Sequence, residues 1–254
     1  MIDLHCHVLP GIDDGPAGIE QSVALVRAAA AAGTETIVAT PHASARYANR
    51  SAEIERLVAE LRARLSAEGI AVGIESGAEL AMSHVDEVEP GELQRLRLGG
   101  GPWLLFEPPF LPIATGIDRA VAQLQERGFR IVLAHPERCP AFQRDPELLR
   151  ALVADGVLTS ITAGSLVGRF GKSVRSFAMR LVAEGLVHNV ASDAHDTVRR
   201  PPGVAAELDD AGLSELAEWL TVAVPSAILA GGEIPPRPAT ASVARAPRWR
   251  VWRR

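Results

Sequence analysis

The chain of 254 residues alternates short β-rich runs with helix-period segments, and this order constrains its fold more than any other feature. Seven runs are rich in β-branched and large apolar residues, at 2–4, 36–40, 71–75, 103–106, 130–134, 157–161 and 187–191. Helical patterns lie between or after them, at 16–32, 52–67, 116–127, 146–154, 174–184 and 205–229, the last interrupted near Gly212. Several of these patterns end at a glycine, a common C-terminal cap. Strands that alternate with helices form a parallel sheet, and seven of them favour a barrel over an open sheet.

Composition narrows the class of protein further. The content is 47% hydrophobic and 22% charged, as in globular domains, and no apolar run approaches the roughly 18 residues that a membrane span needs. No signal-peptide pattern follows Met1, so we expect a cytoplasmic protein without a transmembrane segment. Cys6 and Cys139 are too few to build a disulfide framework.

Charge is distributed unevenly along the chain. The net charge is −5, but six arginines follow the last acidic residue, Glu233, so the preceding part carries about −11. Such an acidic body is a poor nucleic-acid binder and suits a protein that binds cations. We divide the chain into a barrel domain, 1–234, and a flexible basic tail, 235–254. The tail carries Trp249 and Trp252 among its arginines, so it is either a solvated end or a peripheral contact to anionic lipid or an acidic partner.

Histidine and carboxylate side chains follow almost every predicted strand. They are His5, His7, His42, Glu79, Glu107, His135, Asp193 and His195, and only the sixth strand lacks one. In a barrel of parallel strands, residues at the C-terminal ends of the strands meet at one mouth. Imidazole and carboxylate ligands without thiolate suit Zn, Mn or Fe, and their number exceeds what one tetrahedral ion uses, so we expect two or three ions.

The alternative for each position is a buried core residue that is satisfied by hydrogen bonds. Five of the seven histidines lie just past strand ends, which chance does not readily produce. Burying Glu79 and Glu107 without compensation would cost several kcal/mol each. Metal binding is therefore the better interpretation. His84 and His188 lie outside this pattern, and we interpret both as structural.

Six short motifs, taken in order, resemble those of the polymerase and histidinol phosphatase (PHP) superfamily. They are His5-Cys6-His7, Asp13-Asp14-Gly15-Pro16, Thr40-Pro41-His42, Gly77-Ala78-Glu79-Leu80, Ala134-His135-Pro136-Glu137-Arg138 and Ser192-Asp193-Ala194-His195. The resemblance runs from residue 1 to about 231. Within the superfamily, residues 10–16 and Arg200-Pro201-Pro202 are most similar to the bacterial manganese-dependent protein-tyrosine phosphatases of capsule and exopolysaccharide operons.

This resemblance implies an α/β fold, a distorted seven-stranded (β/α)7 TIM-like barrel of the PHP type, with a trinuclear centre. It implies a close metal pair held by His5, His7, Glu79, Glu107, His135 and Asp193, with His42 and His195 completing the cluster. The cofactors would be two or three divalent metal ions, Mn first, with Fe or Zn as alternatives.

The resemblance also implies the remaining parts of an active site. Asp14 would be a ligand, an orienting carboxylate or a proton donor, and its alternative is an N-cap ahead of Pro16. Arg138 and Arg200 would clamp the phosphate, because a guanidinium fork suits two phosphate oxygens. The alternative for each arginine is an ion pair at the rim.

The implied activity is hydrolysis of phosphotyrosine on a protein partner, such as the tail of a bacterial tyrosine kinase, in the regulation of capsule or exopolysaccharide synthesis. Histidinol phosphate or another small phosphoester stays open as the substrate on the same centre, as does a non-catalytic metal-binding module. A cysteine-based tyrosine phosphatase would need an arginine six positions after its nucleophile. Ile12 and Asp145 stand at those positions, so the sequence excludes thiolate chemistry.

Overall fold

Nine short strands form two parallel sheets in the structure, a computed structural model that describes residues 1–113 and 115–239. The strands are β1 (Ile2–Cys6), β2 (Thr36–Ala39), β3 (His42–Ala43), β4 (Gly73–Ser76), β5 (Glu79–Ala81), β6 (Trp103–Glu107), β7 (Arg130–Ala134), β8 (Leu158–Thr162) and β9 (Asn189–Ala191). One sheet has the order β1-β2-β4 and the other β3-β5-β6-β7-β8-β9, and every ladder is parallel. The predicted α/β class with parallel strands is therefore confirmed.

The structure has two strands that were not predicted, β3 and β5, so the count of seven strands is too low. Each follows a strand that was predicted, at 36–40 and 71–75, after two intervening residues. Thr40 and Pro41 separate β2 from β3, and a proline lacks the N–H that a ladder needs. Gly77 and Ala78 separate β4 from β5. A Cβ at Gly77 would lie 3.0 Å from Val38 Cγ1 and 3.2 Å from Leu98 Cδ2, so the close packing there favours glycine. Each break moves the chain from the small sheet to the large one.

The two sheets approach each other where β1 and β9 end. Cys6 and Ala194 form an isolated parallel bridge. The His7 N–H donates to the Ala194 carbonyl at 2.9 Å, and the Asp193 N–H donates to the His5 carbonyl at 2.8 Å. Within residues 1–113 and 115–239 no continuous ladder closes the sheets into one barrel. These bonds still bring the C-terminal ends of the first and last strands together.

Helices connect the strands and cover the sheets. The α-helices are α1 (Ile19–Ala31), α2 (Ser51–Ala67), α3 (Pro90–Arg95), α4 (Ile117–Glu126), α5 (Pro140–Arg144), α6 (Pro146–Ala154), α7 (Ala163–Leu166), α8 (Lys172–Ala183), α9 (Val204–Asp210), α10 (Ser214–Glu218) and α11 (Val224–Ala230). Short 3₁₀ turns lie at Met82–Glu87, Leu98–Gly100 and Pro136–Arg138, and a π-helical turn at Trp219–Ala223 joins α10 to α11. The long helices match the predicted segments to within a few residues, whereas α3, α5 and α7 are too short to produce a periodic pattern.

Helix α2 shows how the pattern produces the packing. Its apolar residues Ile54, Leu57, Val58, Leu61 and Leu65 recur at helical spacing, and all of them are buried. The helix ends at Ala67, and the backbone reverses through Gly69, whose φ of 66° is in the left-handed region that favours glycine. The opposite face of the helix is charged and faces solvent, as the sequence predicts.

The C-terminal segment stays in contact with the domain through residue 237. Trp219 Nε1 donates to the Pro235 carbonyl at 2.9 Å, and Arg237 donates to the Val182 carbonyl at 2.8 Å. Residues 240–254, which hold most of the predicted tail, lie outside the described residues. In the part of the chain that is described, no helix has the length and apolar character to cross a membrane.

Candidate metal centre

All eight predicted ligands come together where the strands end. His5 lies in β1 and His7 just after it; His42, Glu79 and Glu107 lie in β3, β5 and β6; His135 follows β7, and Asp193 and His195 follow β9. With Asp14 they form four overlapping groups, each with its ligand atoms within 4.8 Å of one another. These groups are His7, Asp14, His42 and His195; His5, His7 and Asp193; His5, Glu79 and His135; and His42, Glu79 and Glu107.

Glu79 lies at the centre of this cluster and is 1% exposed. Its Oε1 lies 2.7 Å from His135 Nε2 and 3.4 Å from His5 Nε2. Its Oε2 lies 3.0 Å from His42 Nδ1 and 3.3 Å from His7 Nε2. Although Oε2 is buried, it has no hydrogen bond of good geometry with any described residue. Each carboxylate oxygen therefore faces two imidazole nitrogens, an arrangement that suits a carboxylate shared between cations.

Asp193 connects the imidazoles to the two predicted clamp arginines. Its Oδ1 lies 3.4 Å from His5 Nε2 and 3.5 Å from His7 Nε2. Its Oδ2 accepts a hydrogen bond from Arg138 Nη1 at 2.5 Å and another from Arg200 Nη2. Arg200 Nη1 lies 2.9 Å from His195 Nε2. The structure thus places both arginines beside the cluster.

His135 and Asp193 also share an unusual backbone conformation. Their φ angles of 32° and 51° are the only positive values at non-glycine residues in the described part of the chain. Positive φ costs free energy for residues with a Cβ, and it persists where the surrounding structure imposes it, often at functional sites. Here it turns each side chain toward the cluster at the point where its strand ends.

Asp14 belongs to the cluster and does not cap a helix. Helix α1 begins at Ile19 with Gly18 at its N-cap position, so the N-cap alternative for Asp14 is wrong. The carboxylate Oδ1 of Asp14 lies 3.3 Å from His195 Nε2 and 3.5 Å from His42 Nε2. The side chain is 47% exposed, so it lies at the rim of the cluster.

Asp13 is a site residue that the sequence analysis did not identify. Its Oδ2 lies 2.7 Å from His7 Nδ1 and accepts the His42 N–H at 3.1 Å, and its Oδ1 accepts the Gly15 N–H at 2.9 Å. A carboxylate on the second ring nitrogen of a ligand histidine fixes the tautomer and the ring orientation. The pair Asp13-Asp14 was visible in the sequence, but sequence spacing could not show which carboxylate meets which imidazole.

The protonation states of the cluster follow from burial and crowding. Burial lowers the pKa of His7, but the hydrogen bond to Asp13 and the nearby carboxylate of Glu79 outweigh this effect and raise it to about 10. Burial and the nearby charge of Glu79 raise the pKa of Glu107 to about 8. Burial and the positive charge of Arg138 lower the pKa of His135 to about 4. Glu107 therefore resists ionisation beside Glu79 unless positive charge is added, whereas His135 is neutral and able to donate its lone pair.

These observations together test whether the residues fit divalent cations. Five imidazoles and four carboxylates converge without a thiolate, which is the donor set of Zn, Mn and Fe sites. Glu79 Oε2 and His135 Nδ1 are buried and have no hydrogen-bond partner among the described residues. Bound cations would satisfy the carboxylate oxygen and relieve the repulsion between Glu79 and Glu107. The residues fit.

The other two histidines, His84 and His188, lie outside the cluster, and neither cysteine belongs to it. His84 Nδ1 pairs with Glu87 at 2.8 Å, and His188 Nδ1 accepts the Thr159 N–H at 3.2 Å. Neither histidine belongs to any of the four groups. Cys6 and Cys139 are free and buried, and burial raises the pKa of both thiols, so neither is a reactive thiolate.

The fold and the donor set define an α/β protein of the metal-binding class, with its site at the C-terminal ends of parallel strands. Comparison with known proteins makes the identification narrower. Residues 1–211 match the family described as "Capsular polysaccharide synthesis, CpsB/CapC". The chain belongs to this CpsB/CapC family, and the predicted resemblance to capsule-related phosphatases is confirmed.

Individual relatives agree with this assignment. The tyrosine-protein phosphatase YwqE of Bacillus subtilis is 38% identical over 201 residues, which cover 79% of each chain. The tyrosine-protein phosphatase CpsB of Streptococcus pneumoniae is 30% identical over 213 residues, which cover 80% of this chain and 86% of the relative. A chain from the crystal structures of YwqE and CpsB, described as metal-dependent tyrosine phosphatases, has a TM-score of 0.83 and 35% identity and covers 94% of this chain and 100% of its own length.

Proposed function

We propose that this chain is a metal-dependent protein-tyrosine phosphatase that hydrolyses phosphotyrosine on a protein partner. The observation that carries the proposal is Asp193, whose two oxygens face the imidazole cluster on one side and two guanidiniums on the other. Metal ligands and phosphate-binding groups thus meet at one carboxylate. The names of the relatives, YwqE and CpsB, support tyrosine phosphatase activity over other phosphoester chemistry on such a centre.

We assign the metal ligands as His5, His7, His42, Glu79, Glu107, His135, Asp193 and His195, with Mn as the first candidate and Fe or Zn as alternatives. The number of donors supports two or three ions. When bound, such ions supply a water acidic enough to attack phosphorus near neutral pH and offset charge on the phosphoryl oxygens. Asp14, at the rim beside His42 and His195, is a further ligand, an orienting group or a proton donor.

Arg138 and Arg200 bind the phosphoryl group in this proposal. Each guanidinium carries five N–H donors, and the bonds to Asp193 and the contact with His195 use only some of them. Arg200 Nε is buried and has no hydrogen-bond partner among the described residues, so this donor is left unsatisfied inside the site. Asp193 holds both guanidiniums in place before substrate binds, which reduces the entropy lost on binding.

The finer parts of the architecture and biology belong to the proposal as well. The number of strands is seven if β2 with β3 and β4 with β5 are each counted as one interrupted strand, and the Cys6–Ala194 bridge joins the first strand to the segment after the last. Both observations support a distorted seven-stranded barrel of the PHP type. The family description supports a role in capsule or exopolysaccharide synthesis. The kinase tail as substrate, the cytoplasmic location and the division at residue 234 remain predictions from the sequence.

The decisive experiment is a comparison of kcat/KM for a phosphotyrosyl peptide, a phosphoseryl peptide and histidinol phosphate, with Mn present. Phenolate has a pKa near 10 and needs less protonation on departure than an alkoxide, so the phosphotyrosyl peptide should be hydrolysed fastest. A clear preference for histidinol phosphate would instead make this chain a small-molecule phosphatase, the alternative function on the same centre.

A further inference from the structure

The loop that follows β6, residues 108–113, exposes apolar side chains beside the metal centre. Phe110 is 46% exposed, Leu111 60% and Ile113 66%, and these are among the most exposed large apolar residues described. Prolines at 108, 109 and 112 restrict the backbone of the loop. Cys139 Sγ donates to the Pro109 carbonyl at 3.4 Å, which fastens the loop to the segment that carries Arg138. A stiff loop that keeps apolar surface in water is typical of a binding site.

Phe110 joins this loop to the candidate catalytic groups. Its ring stacks on the ring of His135, with centroids 5.2 Å apart and planes 24° apart. The guanidinium of Arg138 lies 5.3 Å from the centre of the same ring and 4.4 Å from the centre of the Phe170 ring. A phosphoryl group bound by Arg138 therefore places its leaving group close to Phe110.

A cleft of about 450 Å³ leads away from the centre along this loop. It begins at Glu107, passes Phe110 and Leu111 and reaches Ile113, with Met82 also in its lining. A second cleft of about 400 Å³ shares Ile113 with it and reaches Leu148, with Arg144 and Asp145 also in its lining. The cleft on the other side of the centre is different in character, because Asp14, Gln21, His195, Asp196 and Thr197 line much of it. Apolar surface thus leads away from the centre on the Phe110 side.

We propose that Phe110 contacts the aromatic ring of the phosphotyrosine and that Leu111 and Ile113 bind an apolar side chain next to it in an extended peptide. This inference rests on the function proposed above and names the sequence context that the site prefers. Aromatic rings pack favourably in stacked or edge-to-face geometry, so the exposed Phe110 ring suits a phenyl leaving group. The prolines hold the loop in place, so binding a peptide there requires little ordering.

The ring contact is tested by inhibition with two phosphonates that are not hydrolysed, phenylphosphonate and butylphosphonate. F110A should lower the preference for the phenyl compound, measured as the ratio of inhibition constants, about three- to tenfold, and F110W should restore it. Y47A is the matched control, because the Tyr47 ring stacks on His42 at 5.5 Å on another part of the rim, and it should keep the wild-type ratio.

Two outcomes would overturn the ring contact. One is an unchanged ratio of inhibition constants in F110A. If F110A binds both compounds more weakly by the same factor, the ratio is also unchanged, and Phe110 is then a positioning residue for Arg138. F170A is the reference variant for such an equal loss of affinity, because Phe170 contacts Arg138 without stacking on His135 in the described structure. The other is a ratio that falls in Y47A and not in F110A.

The peptide contact is tested with two phosphotyrosyl peptides that differ only in having leucine or glycine on both sides of the phosphotyrosine. Wild-type protein should prefer the leucine peptide in kcat/KM, and L111S combined with I113S should lower this preference about fivefold through KM. V198S removes an apolar side chain that is 82% exposed on the loop before Arg200, and it should keep the wild-type preference.

The same measurement separates failure of this inference from failure of the proposed function. Two results would overturn the proposed contact of the peptide with Leu111 and Ile113 and leave the phosphatase assignment intact. They are equal kcat/KM values for the two peptides in wild-type protein and an unchanged preference in the double variant. Absence of turnover of both peptides, in protein that hydrolyses histidinol phosphate, would overturn the tyrosine phosphatase function itself.

Discussion

Arg138 and Arg200 donate to the same carboxylate oxygen, Oδ2 of Asp193. The two guanidiniums come from segments that follow different strands, β7 and β9, and the shared acceptor holds them side by side. The other oxygen of Asp193 faces His5 and His7. One buried carboxylate therefore sets the position of the phosphate-binding groups relative to the candidate metal ligands.

The first prediction concerns Arg200. R200A should lower kcat/KM for a phosphotyrosyl peptide about a hundredfold, because a charge-assisted donor to the phosphoryl group is lost. R200K should recover only part of this loss, since lysine keeps the charge but not the bidentate fork. The neighbouring, exposed Arg199 provides the control, and R199A should behave like wild type. Equal effects of R200A and R199A would contradict the clamp.

The second prediction concerns metal removal. Chelation should abolish activity and lower the thermal midpoint, and Mn should restore both, because a cation at 100 times its Kd stabilises the folded state by about 2.7 kcal/mol. H135A and D193A should remain folded, lose turnover by at least about a hundredfold and show a smaller Mn-dependent rise in midpoint. H84A is the matched control. Full activity in chelator-stripped protein would show that the reaction does not require the metal.

The third prediction concerns Asp13, which lies against His7 and does not belong to the four ligand groups. D13N keeps the shape of the side chain but exchanges one acceptor oxygen for a donor, so the orientation of the His7 ring is no longer enforced. The affinity for Mn, read as the concentration that gives half of the thermal shift, should weaken about 10- to 100-fold. D118N, at an exposed helix position, should leave the affinity unchanged. If D13N and D118N give the same titration, Asp13 has no orienting role.

The fourth prediction concerns stability at low pH. Burial and the positive charge of Arg237 lower the pKa of His188 to about 4, below its ordinary value of 6.5. His188 is therefore protonated below about pH 6.5 in the unfolded chain but only below about pH 4 in the folded chain. Stability from this group is complete above pH 6.5 and is lost as the pH falls toward 4, by about 2 kcal/mol between pH 7 and pH 5.

Urea unfolding of wild type and H188Q at pH 7 and pH 5 measures this contribution. The free energy of unfolding should fall less in H188Q than in wild type over this interval, because glutamine does not titrate. An identical fall in the two proteins would mean that His188 is not held neutral by its surroundings.

The fifth prediction concerns the C-terminal residues. A deletion of 240–254 spares the contacts of Pro235 and Arg237 with the domain, so kcat/KM should not change. Binding to vesicles that contain anionic lipid should fall, because the deletion removes Arg248, Arg250 and two tryptophans. Replacing Trp249 and Trp252 with alanine in the full chain separates the aromatic from the charged contribution. Unchanged vesicle binding in the deletion protein would leave the segment as a solvated end.

Much of the site could be predicted because parallel strands impose a simple rule. Each predicted ligand, such as His42, Glu107 or His135, stands at or just beyond a β-rich run and can be located from the local sequence. The C-terminal ends of parallel strands then meet at one edge. The α/β class follows from the same periodicity, which hydrophobic burial enforces locally. The sequence predicts the boundaries of strands and helices less well than their positions, because the last residue of an element depends on its neighbours as much as on its own side chain.

Only the tertiary structure shows which residues far apart in the sequence contact each other. The sequence by itself determined the parallel α/β class, the set of imidazole and carboxylate donors and the absence of a cysteine nucleophile, since these depend on local patterns and residue types. It could not determine that Asp13, rather than Asp14, meets the second nitrogen of His7, or that Arg138 and Arg200 share Asp193. Nor could it show that β3 and β5 follow β2 and β4 in a different sheet. Each of these contacts is decided by packing and hydrogen bonding between distant segments, and local propensity carries no information about such pairings.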